Sequence, residues 1–188
     1  VITQDVRVTN EQSEIISVAE KSSPSVVSIV VSKDVPRYYS DFYDRFLGIQ
    51  DESTNQTETR QIGAGSGFVM DDNGLIITNR HVVDDMAASY TVIFNDGKQV
   101  DAKVLARDTV LDIAFLKVEN VKVTPLSLGS SKDLKVGQTV IAIGNALGEF
   151  SNTVSSGIIS GLSRQIVAAD GNGSNAEQLN DLIQTDAS

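Results

Sequence analysis

Cysteine and tryptophan are absent from this 188-residue chain, and histidine occurs once, as His81. The missing thiols exclude disulfides, thiolate–metal centres and a cysteine nucleophile, without fixing a compartment. One imidazole among scattered carboxylates argues against a catalytic zinc site, and no cofactor is expected. No run approaches the roughly 18 apolar residues of a membrane span, so no helix within the chain is long and apolar enough to cross a bilayer. Basic residues are also scarce: 15 Lys and Arg stand against 25 Asp and Glu, a net charge of −10. Binding phosphates needs clustered Lys and Arg, so nucleic acid and anionic membrane are not expected partners. What remains is 40% hydrophobic and 21% charged, an ordinary globular balance. The length suits one domain, or two small barrels sharing a core. The chain opens on Val1 rather than Met, which reads as a processed or engineered start and leaves room for a removed signal or anchor.

Strand signals dominate. A short helix is expected within Glu11–Lys21, ended by Ser22-Ser23-Pro24, and Ser25–Val31 reads as the first strand. Residues 33–61 change character. The stretch Tyr38–Gly48 holds five of the ten aromatics, and polar, low-complexity Asp51–Arg60 follows. Such a stretch is either a flexible insertion covering a neighbouring strand or a contact site. Further strands are expected at Gly65–Met70, Leu75–Thr78, Ser89–Phe94, Gln99–Ala106 and Ile113–Lys117. Asp71-Asp72-Asn73-Gly74 and Asn95-Asp96-Gly97 carry hairpin-turn chemistry between them. About six short strands with little helix indicate a small all-β barrel or sandwich. After Pro125 come Thr139–Ile143, Thr153–Gly161 and Leu179–Gln184, too few to close a second barrel, with Ala168–Asn180 read as a mobile loop.

Two residues stand out chemically. His81 follows the apolar run Gly74–Ile77 in Thr78-Asn79-Arg80-His81-Val82-Val83, where the valines are placed to pack beneath the ring. A lone histidine is commonly structural, but imidazole, with an intrinsic pKa of about 6.5, also suits general-base work at a strand end. Asp112 lies 31 residues on, in the apolar run Val110–Val118. A carboxylate there costs several kcal/mol, by order of magnitude, unless hydrogen-bonded. Either it orients an imidazole through Nδ1–H, or it accepts backbone N–H groups at a turn. Asp108 competes for the role but lies outside the apolar run, where capping a turn accounts for it. Base and acid make two-thirds of a serine-protease triad, and the serine is not found. Ser66 in Gly63-Ala64-Gly65-Ser66-Gly67 misses the nucleophile elbow because position 64 is alanine, and a tightly packed strand start explains it better. Ser188 has no neighbouring glycines to build an oxyanion hole.

The order His81, Asp112, then a missing serine is that of chymotrypsin. Six segments in order resemble the HtrA (DegP/DegS-like) branch of the trypsin-like serine proteases. They are Gly65–Val69, Thr78–Val83, Leu111–Val118, Val140–Gly148, Thr153–Ser160 and Leu182–Ala187. The resemblance covers nearly the whole chain from about residue 12. It implies two perpendicular six-stranded β-barrels, with His81 as general base and Asp112 as its orienting acid. Residues 1–24 form an N-terminal segment with the short helix, 25–125 the complete first barrel, and 126–188 part of the second. It also implies that 38–48 contributes to trimer contacts and that 168–180 helps to sense activation. The substrates implied are unfolded or misfolded polypeptides, and the compartment is the bacterial periplasm or cell envelope. The family's Asn-Pro-Gly-Asn-Ser-Gly-Gly-Pro segment, which supplies nucleophile and oxyanion-hole amides, falls past Ser188. Three readings follow. The chain is a serine endopeptidase domain shortened by design, cleavage or an incomplete gene. Otherwise it is an inactive half-protease that binds, chaperones or is completed by a partner fragment. The third is a plain β-sandwich with coincidental motifs.

Overall fold

The computed structural model describes residues 14–36, 57–146, 150–169 and 176–187. A helix over 14–22 runs into a 3-10 turn, Ser23–Ser25, with Pro24 near its start, where a missing N–H costs nothing. The first six strands are β1 (Val26–Pro36), β2 (Thr57–Val69), β3 (Leu75–Asn79), β4 (Ser89–Ile93), β5 (Gln99–Asp108) and β6 (Ile113–Lys117). They close into a barrel in the order β1-β2-β3-β6-β5-β4, with every neighbouring pair described antiparallel.

Alternation puts one face of each strand inside. Val27, Ile29 and Val31 of β1 meet Val69 of β2, Ile76 of β3, Val92 of β4 and Leu116 of β6 in one buried cluster. These residues are β-branched or Leu, which fit a pleated surface packed on one side. The hairpins use the expected turn chemistry. Asp71 Oδ1 accepts the N–H groups of Asn73 and Leu75, both at 2.9 Å, and Gly74 takes φ 84°. Gly97 takes φ 82° in the β4–β5 turn, where Phe94 N–H donates to the Lys98 carbonyl at 2.9 Å.

A second sheet has the order β7-β8-β9, from Thr139–Ala146, Phe150–Ala169 and Ala176–Thr185. Strand β7 packs against β1 and β2, bringing Gly144 beside the Ser66 hydroxyl. A closed barrel beside a partial second sheet is a chymotrypsin-like arrangement, as expected.

Four readings need correction. Polar 57–61 is strand, not loop: it pairs with β1 from Ser32 to Pro36. Backbone hydrogen bonds hold this ribbon without apolar alternation, and Thr59 Oγ1 donates to Asp34 Oδ1 at 2.5 Å. Ser66 consequently lies within β2, opposite Ser28, rather than at a strand start. The ends of the 168–180 loop belong to β8 and β9, which pair at Ala168↔Glu177 and Ala169↔Ala176. Finally, the apolar run around Asp112 is not one buried strand. Val110 and Leu111 are 73% and 62% exposed in the turn before β6. The aromatic stretch 38–48, with the trimer contact attached to it, and Ser188 lie outside the described residues.

Candidate active site

Strand β3 ends at Asn79, and the chain turns at once into a single 3-10 turn, Arg80–Val83. Three ties fix that turn to the barrel. Val83 is fully buried in the core cluster. Its carbonyl accepts a hydrogen bond from Arg107 Nε of β5 at 2.6 Å. Beneath the turn, β2 approaches so closely that a Cβ on Gly65 would stand 2.5 Å from Val82. Glycine at 65 is thus a packing requirement of the turn that carries His81.

Asp112 arrives from the next strand of the barrel. Strands β3 and β6 pair up to Asn79↔Ile113, and Arg80 N–H donates to the Asp112 carbonyl at 3.0 Å, extending that pairing by one residue. Asp112 itself takes φ 52°, a left-handed conformation that Asp tolerates better than most residues. Asp108 leads into this turn, its Oδ1 accepting Val110 and Leu111 N–H at 2.8 and 2.9 Å. That is the capping role expected of it.

The Asp112 carboxylate is used on both oxygens. Oδ1 accepts the His81 backbone N–H at 3.0 Å, and Oδ2 lies 2.7 Å from His81 Nδ1. The carboxylate thus bonds both the backbone of the turn and the imidazole. Asn79 Nδ2 adds a bond to Oδ2 at 3.1 Å, and Arg80 Nε stands 3.8 Å from Oδ1. The Asp112 side chain is 9% exposed, whereas that of His81 is 66% exposed. The acid is sheltered and the ring faces solvent. An open cleft of about 430 Å³ adjoins the ring, bordered by Val31, Ile62, Val82, Asp84 and Asp85.

Burial pushes the Asp112 carboxyl up, but the His81 N–H, the imidazole and the Asn79 amide together outweigh it and hold the group below its ordinary 3.8. The unfolded chain takes up this proton at higher pH than the native one. The resulting stabilisation is complete above 3.8 and lost as pH falls through the lower native value. Urea unfolding at stepped acidic pH is expected to show this loss, and the component due to Asp112 is absent from Asp112→Asn. An unchanged pH slope in that variant counts against the network.

Residues of ordinary character also proved to matter. Lys33 of β1 binds Asp85 at 2.7 Å, holding that carboxyl below its usual range, and Tyr90 hydroxyl donates to the Asp85 carbonyl at 2.6 Å. Together they tie down the segment after His81. The sequence offered one signal for Asn79, a polar amide ending an apolar strand. Arg107 and Lys33 carried none. Ser66 sits under this assembly: its carbonyl accepts Thr78 Oγ1 at 2.7 Å and its hydroxyl faces β7.

A histidine at a strand end, held through Nδ1 by a sheltered aspartate in the turn before the adjacent strand, can take a proton on its outer nitrogen. With the fold, it points to a class. The chain belongs to the trypsin-like peptidase domain family, whose model matches residues 65–188. Within that family its relatives are HtrA and DegP proteases. Serine protease PepD of Mycobacterium tuberculosis is 43% identical over 137 residues, covering 68% of this chain and 29% of PepD. Periplasmic serine endoprotease DegP of Escherichia coli is 35% identical over 193 residues, covering 89% of this chain and 39% of DegP. The solved structure of the HtrA-type protease AlgW with a decapeptide superimposes with a TM-score of 0.71 at 26% identity, over 92% of this chain and 51% of AlgW. The chain thus spans about a third of the length of these curated relatives.

Proposed function

We propose that this chain carries the acid–base half of an HtrA-type serine endopeptidase that cleaves unfolded polypeptide. His81 is the general base: its Nε2 takes the proton of a serine nucleophile and returns it to the leaving amine. Asp112 holds the imidazole in the tautomer that leaves Nε2 unprotonated and stabilises the imidazolium once it forms. One observation carries this reading, the 2.7 Å Nδ1–Oδ2 contact between a sheltered carboxylate and an exposed ring. The periplasmic names of DegP and its kin support an extracytoplasmic location. The decapeptide in the AlgW structure supports a peptide ligand. A homotrimer held partly through 38–48 is our expectation for the assembly.

The 188 residues alone are proposed not to hydrolyse peptides, since no serine among them stands in a Gly-x-Ser-Gly setting. Completion by a serine-bearing segment is favoured by the apolar side chains exposed on the second sheet, Val154, Ile158 and Ile183.

Intact mass after treatment with a fluorophosphonate probe tests both statements. The 20.1 kDa chain is expected to stay unlabelled. The same chain joined to the serine-bearing remainder of the protease is expected to gain one adduct on that serine, and His81→Ala is expected to suppress it. Labelling of the 188-residue chain sinks the inactivity claim. Labelling of the completed protease that ignores His81→Ala sinks the catalytic assignment.

A further inference from the structure

Asn79 occupies the N-cap position of the Arg80–Val83 turn, where an Asn side chain ordinarily accepts an N–H from the turn's own backbone. It makes no such bond. Its amide is directed instead at Asp112, donating to Oδ2 at 3.1 Å and to the Asp112 carbonyl at 3.3 Å. Oδ2 is also the oxygen that receives His81 Nδ1 at 2.7 Å. Without the Asn79 amide, Oδ1 keeps the His81 N–H at 3.0 Å, but Oδ2 is held by nothing except the exposed ring that it is meant to orient.

We propose that Asn79 is a positioning residue: through Asp112 Oδ2 it sets the plane of the carboxylate, and thereby the orientation and tautomer of the His81 ring. This rests on the dyad reading above and deepens it, since Asn79 touches neither nucleophile nor substrate. Two bonds to one oxygen fix a direction that one bond leaves open, and the donor also favours the ionised form that the ring requires. Among the described residues, charged groups close to the carboxylate include Arg80, with Nε 3.8 Å from Oδ1, and Asp84, which takes Arg80 NH1 at 2.9 Å. That pair approaches from the Oδ1 side and leaves Oδ2 to His81 and Asn79.

Because His81 is the only histidine, ring nitrogen resonances of the 15N-labelled chain belong to it without ambiguity. In the unmodified chain the neutral ring is expected to be protonated at Nδ1. The Asn79 side-chain NH2 signals are expected to shift in step with the Asp112 carboxyl. Asn79→Ala and the volume-keeping Asn79→Leu are each expected to lower the ratio of Nδ1-H to Nε2-H tautomer roughly tenfold, the worth of one charge-assisted bond. Both are also expected to move the Asp112 midpoint up, with barrel amide shifts unchanged. Unchanged tautomer ratio and midpoint in folded variants overturn the proposal. Asn79 amide signals that ignore the Asp112 titration overturn it even if neither variant folds. Fluorophosphonate labelling decides the catalytic reading separately, because these spectra require no nucleophile.

Discussion

Asp112→Asn is expected to lower kcat of the completed protease about 10⁴-fold, the size of loss that follows when an orienting acid of this kind is made neutral. The shape of the site barely changes, since Asn is isosteric. What changes is the proton inventory. The Asp112 carboxylate accepts on both oxygens, from His81 N–H and from His81 Nδ1. An amide accepts on one atom and donates on the other. Its oxygen is claimed by the His81 backbone N–H on the Oδ1 side, so its NH2 takes the Oδ2 side, meets Nδ1 and forces that nitrogen to accept. The ring proton then moves to Nε2, where a serine proton must be received. Hydrolysis of an unfolded protein substrate measures the loss, and KM is expected to stay near its original value, since no substrate contact is removed. A fall of less than about tenfold in kcat means the carboxylate is a turn anchor and not an orienter.

The second large effect is on stability. Gly74→Ala is expected to destabilise the barrel by about 2–4 kcal/mol, combining left-handed backbone strain with overpacking. Gly74 takes φ 84°, and a Cβ there would lie 2.6 Å from the Val118 carbonyl oxygen. That oxygen belongs to backbone held in place by Val118 N–H donating to the Gly74 carbonyl at 3.0 Å. It cannot rotate away as a side chain would. Gly97→Ala supplies the internal comparison. Its φ is 82°, yet nothing lies within 4 Å of the added carbon. Only the backbone part remains, about 1–2 kcal/mol. Urea midpoints of the two variants, at equal m, separate the contributions. Equal losses contradict the close approach at Gly74.

Legibility in the sequence followed the strength of the local signal. Strand β6 begins and ends where the pattern places it, and β3 differs by one residue, because both alternate buried and half-buried positions. The outer part of β2 was not legible. Its Thr57–Gln61 segment is strand only because β1 lies opposite, and its sequence shows no apolar alternation. His81 and Asp112 were readable as exceptions, a sole imidazole and a carboxylate next to an apolar strand. Their supports were not. Arg107 reaches the Val83 carbonyl from 24 residues away, and Lys33 meets Asp85 from 52 away. Both contacts are products of barrel register, and the residue types involved are common on any surface. The left-handed turn at Asp112 was hidden for another reason: Val110 and Leu111 look like buried strand residues, yet face outward.

The six barrel strands occupy one unbroken stretch, from Val26 to Lys117. A ribosome therefore releases everything needed to hold His81 against Asp112 before any strand of the second sheet emerges, and domains tend to fold in the order they appear. On the function proposed above, the part that handles protons ripens early and harmlessly, because an imidazole beside a carboxylate attacks no peptide bond. On that reading, any hazard to the cell's own proteins would begin only with the segment that brings in the nucleophile.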